Sequence, residues 1–277
     1  MEAPELLAEP PVGPLRVNIA KNIGTVETAS APSDVRTASA VIAAINPVMY
    51  EEPSFYRKLP GALAYPFKRN GIILLVIGAI VFLVLEFLAS YAWLISIITT
   101  GYLFAYMQKI IAHSAQGEDE MPDFPEFGEW WSDIILPFLL FTGTFVVSFV
   151  PAIALFFLGR ESPVFALAII PAIIFGAIYF PMALLAVAVS DSFVALSPHI
   201  VVPSIFRVFL PYAVACLVLG VLAGIRFGLG FALVLFVPIP VLPEVILGFV
   251  SLYALVVEMR VLGLLFRGYR HRLGWLN

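Results

Sequence analysis

The chain has 277 residues, of which 61% are hydrophobic and only 12% charged. A soluble domain carries about a quarter charged residues, so a globule of this composition lacks the polar coat it needs against water. The formal net charge of -4 also excludes the basic footprint that nucleic-acid binding requires. Lipid is the solvent that suits such a chain. Its single cysteine, Cys216, lies in an apolar run and has no intrachain disulfide partner, so it reads as a small hydrophobe.

Residues 1–53 are rich in Ala, Pro, Ser, Glu and Val and show no sustained apolar period. They contain no basic segment followed by an apolar core, so no cleavable signal peptide is expected. They bury too little to offset the entropy of ordering, which predicts a disordered cytoplasmic tail. Within it Ala40–Ile45 fits a short strand or helix. Residues 54–277 then form a helical transmembrane domain. Its first stretch, 54–70, interleaves Phe55, Tyr56, Tyr65 and Phe67 with Arg57, Lys58, Lys68 and Arg69. Rings favour the headgroup level and basic side chains favour anionic lipid, so this reads as an amphipathic segment on the membrane surface. The plainer alternative is a juxtamembrane linker whose charges only set topology.

A crossing takes about 20 apolar residues. By that measure six spans follow, at about 71–90, 92–111, 134–158, 164–189, 206–237 and 245–266. The first two share one apolar run, which must turn near Ala89–Trp93. The third and fourth are joined by Gly159-Arg160-Glu161-Ser162-Pro163, where glycine ends one helix and serine-proline starts the next. Three prolines in Pro238–Pro243 forbid a continuous helix between the last two. The stretch 206–237 is too long for one upright span; it fits one tilted helix or a helix plus a re-entrant piece. The fold class expected is therefore all-α: a polytopic helical membrane protein with about six transmembrane helices, interfacial amphipathic helices and a disordered N-terminal tail.

Arg57, Lys58, Lys68, Arg69, Lys109, Arg207, Arg260, Arg267, Arg270 and Arg272 fall on one side of this arrangement, and Arg160 with Arg226 on the other. The positive-inside rule then predicts a multi-pass protein of the cell membrane with both termini cytoplasmic. Polar groups at membrane depth, the usual pointer to function, are few. Glu86, Glu244 and Arg226 read as snorkelling groups or a structural ion pair. Glu258 and Arg260, at the inner end of the sixth span, are expected to reach headgroups.

Catalytic motifs are missing: the three histidines, His113, His199 and His271, stand isolated, with no zinc-protease, nucleophile-elbow or phosphate-loop pattern around them. No catalytic residue, cofactor or metal site is assigned. The one acidic cluster runs from Gln116 to Asp133. Its carboxylates suit a hard cation, but Phe124, Phe127, Trp130, Trp131 and Ile134 recur among them at about helical spacing. That predicts an acidic interfacial helix leading into the third span. Glu118, Asp119, Glu120, Phe127, Trp130 and Trp131 are the candidate interfacial or partner contacts.

This loop, Gly117-Glu-Asp-Glu-Met-Pro-Asp-Phe-Pro-Glu-Phe-Gly-Glu-Trp130, with the preceding Gly101-Tyr-Leu-Phe-Ala-Tyr-Met-Gln-Lys109, resembles a family of uncharacterised bacterial and archaeal membrane proteins catalogued as domain of unknown function 4013. Tyr179-Phe-Pro-Met-Ala, Leu196-Ser-Pro and Arg260-Val-Leu-Gly-Leu-Leu-Phe-Arg267 extend the likeness over about residues 55–277. The resemblance implies a multi-span fold and brings no known activity and no catalytic residues. Some similar chains begin with a cysteine-rich zinc ribbon; this tail has no cysteine, so none is implied. The sequence thus points first to a non-enzymatic scaffold or accessory protein whose cytoplasmic rim engages the lipid bilayer, other membrane proteins or a second copy of itself. A small-solute transporter or channel is the alternative, and a lipid-acting enzyme the third.

Overall fold

Lipid offers backbone N–H and C=O groups no partner but one another, so an apolar run inside it becomes a helix. The computed structural model describes residues 55–68, 71–89, 93–125, 128–158, 163–237 and 241–275, and among them every regular element is helical. In chain order these are α1 (Phe55–Ala64) with a 3-10 turn (Tyr65–Phe67), α2 (Gly71–Ala89), α3 (Trp93–Gln116), a π turn (Trp131–Ile135) running into α4 (Leu136–Leu158), and α5 (Pro163–Ser190). A 3-10 turn (Phe193–Leu196) then leads to α6 (Pro198–Arg207), α7 (Phe209–Phe236) and α8 (Val241–Leu273). Five helices are long and apolar enough to cross a membrane. The number rises to six if Phe55–Phe67 and Gly71–Leu85, two pieces bent by 64° at their break, are counted as one span. The protein is a polytopic helical membrane protein. The tail, including Ala40–Ile45, and the Arg160 hairpin loop lie outside the described residues.

Three segments differ from the sequence reading. The stretch 206–237 is one continuous helix over Phe209–Phe236, the first of the two sequence alternatives, with no re-entrant piece. Only its start differs: Val208, buried and at φ -124°, ψ 36°, separates α7 from the amphipathic α6 before it. Ser197 and Pro198 start α6, proline being well placed where the N–H has no helical partner anyway. The last helix is longer than 245–266, so Arg270, His271 and Arg272 form its final turn, where cations suit the helix dipole.

The third difference concerns the acidic stretch. It is not an interfacial helix: residues 118–125 and 128–129 are non-helical, and helix begins only at Trp130. Pro122 and Pro125 remove amide donors, and Phe124 has a better site inside the bundle than on lipid. Its ring lies 4.8 Å from that of Tyr106 and 6.4 Å from that of Tyr102.

The core sits on α8, which packs against α1, α2, α3 and α7 and touches α5 and α6. Its segment Val256–Phe266 is buried on nearly every side. Lipid tails are as apolar as leucine, so helices associate in a bilayer through close van der Waals contact more than through hydrophobic burial. Gly263 provides such contact: a Cβ there would fall 2.3 Å from Ser114 Cβ and 2.8 Å from the Ile111 carbonyl oxygen. Gly101 does the same for the π turn, with Ile134 O 2.3 Å from where its Cβ would stand. In contrast α7 lies at the edge. Phe227, Val234 and Phe236 are exposed to the surroundings, and a Cβ at Gly220, Gly224 or Gly228 would meet no described atom of another element within 4 Å.

Candidate functional site

The polar chemistry gathers at the end of the bundle where α3 and α8 finish. Helix α3 stops because Gly117 takes φ +89°, a conformation that side-chain-bearing residues adopt only under strain. The turn is closed by Gly117 N and Glu118 N, which both donate to His113 O, at 3.1 and 3.0 Å. Arg267 of α8 fills the space where a Cβ at Gly117 would be. The chain then crosses the bundle end as an extended strap, with Met121 and Pro122 buried beneath it.

A non-helical strap needs partners for its carbonyls, and side chains from three directions supply them. Arg260 Nη1 of α8 donates to Glu118 O. The Tyr65 hydroxyl, in the turn after α1, donates to Glu120 O at 2.7 Å. From α3, Lys109 Nζ donates to Asp123 O at 2.8 Å and the Tyr102 hydroxyl to Pro125 O at 3.0 Å. The strap therefore ties the entry segment, the second crossing and the last helix together.

Arg260 is the centre of this lock. Only 4% of its side chain is exposed, so it does not reach headgroups as the sequence suggested. Its Nη2 donates to Asp119 Oδ1 at 2.5 Å, its Nη1 also reaches Ser114 Oγ at 3.3 Å, and its guanidinium lies 4.4 Å from the Tyr65 ring centroid. A buried cation is tolerable only when paired and hydrogen-bonded, and here carboxylate, carbonyl, hydroxyl and aromatic face all contribute. Two buried atoms in this neighbourhood, Arg260 Nε and the Tyr106 hydroxyl, have no hydrogen-bond partner among the described residues. The lock is strong in charge-assisted bonds without being saturated.

The acidic cluster of the sequence thus divides by task. Asp119 pairs with Arg260 while keeping 72% of its side chain exposed. Glu118 Oε2 meets His113 Nδ1 at 2.6 Å. Asp133 reaches back to the amides of Gly128 and Glu129, both at 2.7 Å, and so supplies acceptors to the orphan donors where helix begins at Trp130. Glu120 contributes its carbonyl to the strap and is exposed. Trp130 and Trp131 stand 60% and 63% exposed. Phe127 lies outside the described residues. Among those residues no group of three or more His, Cys, Asp and Glu side chains is arranged to hold a metal ion; the cation at Asp119 is the guanidinium.

Sequence reasoning missed Arg260 as a site residue because its partners lie more than 140 positions away. It read Arg226, with Glu86 and Glu244, as a snorkelling group or part of a structural ion pair. The structure puts Arg226 of α7 within electrostatic reach of Glu258 of α8 instead. His113 belongs to the strap, whereas His199 lies on α6 away from it, so the histidines do not converge on the acidic residues. No protein-family model matches the chain, no curated protein matches it, and no solved structure matches its fold.

Proposed function

We propose that the protein is a non-enzymatic scaffold or accessory component of the cell membrane, multi-pass with both termini cytoplasmic, whose strap end docks lipid or a partner protein. The observation that supports this reading is a surface fixed in advance. Four strap carbonyls are held by Tyr65, Tyr102, Lys109 and Arg260, while Asp119, Trp130 and Trp131 stay open to contact. A binding surface that is already ordered avoids the entropy of ordering on association, and exposed tryptophans are the residues that most often anchor interfaces. The basic residues Lys109, Arg207, Arg267, Arg270 and Arg272 at this same end support the orientation. The resemblance carried by Gly117–Trp130 to domain of unknown function 4013 belongs to this proposal, since those residues form the strap and its exit.

The test is purification in mild detergent of the wild type and of a rim variant carrying Glu129→Gln, Trp130→Ser and Trp131→Ser, followed by quantitative identification of companions. A protein or anionic lipid retained by the wild type and lost from the variant is expected. Identical companions in both would remove the rim from the account. A cysteine at Glu129, which is exposed, should be labelled only from the cytoplasmic side.

A second reading, a small-solute transporter or channel, draws on one observation. Glu258 is half-buried within the apolar stretch Leu242–Leu273, facing the charge of Arg226 in Phe209–Phe236. Ionisable groups inside spans are costly and usually functional. Loss of a solute or proton flux in proteoliposomes on Glu258→Gln would favour it, and no flux from the wild type would set it aside.

A further inference from the structure

Away from the strap, the end of α5, the turn after it, the amphipathic α6 and the last turn of α8 enclose a half-open pocket of about 520 Å³. That lies within the range of small-molecule sites. Arg207 and His199 line it, together with Ser190, Ser192, Ser204 and Trp275, and none of the described lining residues is an aspartate or glutamate. Asp191, the nearest carboxylate in sequence, is held elsewhere, accepting from Gln108 Nε2 at 2.8 Å.

The donors still available decide what the pocket takes. Ser190 and Ser204 have spent their protons on Ala186 O and Ile200 O, both at 2.7 Å. Trp275 Nε1 is likewise used, donating to Ser204 Oγ at 2.9 Å and so closing the pocket floor. Ser192 Oγ accepts from Val194 N at 3.2 Å, which leaves its hydrogen to donate. Arg207 gives Nη1 to Leu273 O at 3.0 Å, a cap on the end of α8 that uses one of its five N–H groups. It has no carboxylate partner among the described residues. Among the described residues the pocket therefore presents a guanidinium without a carboxylate partner, a hydroxyl donor and an imidazole.

We infer that this pocket binds the phosphate of an anionic lipid headgroup, held by Arg207, His199 and Ser192. A guanidinium matches phosphate geometry with paired N–H donors. The lipid source is favoured over free phosphate by the rim. Val194, which lines the pocket, is strongly exposed, as are Phe193 beside it and Phe206 and Phe209 flanking Arg207. Acyl chains have an apolar surface to lie on as they leave the pocket. The inference deepens the lipid-docking half of the proposed function, on different residues from the strap rim.

The experiment measures the shift in thermal unfolding of the detergent-purified full chain against three additives: dioctanoyl phosphatidate, dioctanoyl phosphatidylcholine and inorganic phosphate. Phosphatidate is expected to stabilise the wild type saturably, with the other two about tenfold weaker or more, the size of one charge-assisted contact. Arg207→Gln should weaken phosphatidate about tenfold, and Arg207→Lys less. Because Arg207 also caps α8, Val194→Glu provides a second route. It sets a negative charge at the pocket mouth without touching that cap, and should lower phosphatidate affinity by a similar factor in a folded protein. The rim variant should keep wild-type phosphatidate binding, so its loss of companions and the pocket's loss of lipid are separable. Equal response to phosphatidylcholine, an undiminished response in Arg207→Gln and Val194→Glu, or saturation by inorganic phosphate alone would each overturn the assignment.

Discussion

Arg260 and Arg207 stand at the same end of the bundle and do opposite things. Arg260 is buried, spans the strap and α3, and answers its charge with Asp119 and the face of Tyr65. Arg207 is exposed, spends one bond on the end of α8, and faces a pocket without a carboxylate. The contrast teaches that an arginine's task at a membrane edge is set by what the fold brings opposite it. A guanidinium paired with a carboxylate is a structural rivet, and one without such a partner is a site for an anion.

The largest expected effect comes from removing the rivet. Arg260→Met should lower stability by about 2–4 kcal/mol, since it deletes charge-assisted hydrogen bonds and a cation–π contact at once. Thermal unfolding in detergent measures it. A loss under about 1 kcal/mol would make the two arginines equivalent and dissolve the comparison. Gly117→Ala sharpens it from the strap side: forcing a side chain to φ +89° should cost about 1–2 kcal/mol, even after the Arg267 guanidinium swings aside. A neutral outcome there would mean that the strap can leave α3 by another turn. Arg207→Gln, read without added lipid, should cost only about 1 kcal/mol, one cap on a helix end. Smallest of all should be Trp130→Ser with Trp131→Ser, within about 1 kcal/mol, because both rings are already more than half exposed.

The sequence was most legible where a single physical scale decides. Apolar length located helices long enough to cross a membrane, and the structure shifts some of their ends, because a cap such as Gly117 lies beyond the apolar run. Periodicity misled in the acidic stretch. Phe124 and Ile134 fit a helical spacing, yet two prolines and a vacancy beside Gly78 draw Phe124 into the bundle, where a Cβ on Gly78 would come 2.9 Å from Phe124 Cζ. The break at Val208 is announced only by Pro211 in the first turn of α7, whose ring would clash with the Arg207 carbonyl of a continuous helix. The site was least legible. Arg260 meets Glu118 and Asp119 across more than 140 residues, and the Arg207 pocket draws on α5, α6 and the end of α8. Such pairings arise from helix packing and leave no local spacing to read.

The strap is held by Arg260 and its bonded neighbours, with the tryptophans left free for contact. Backbone hydrogen exchange across residues 117–125, followed by mass spectrometry in the wild type, Arg260→Met and the Trp130→Ser/Trp131→Ser double variant, tests it directly. Exchange in this segment should rise about tenfold or more in Arg260→Met and stay near the wild-type rate in the tryptophan variant. The reverse order, a strap freed by losing the tryptophans and indifferent to Arg260, would contradict it.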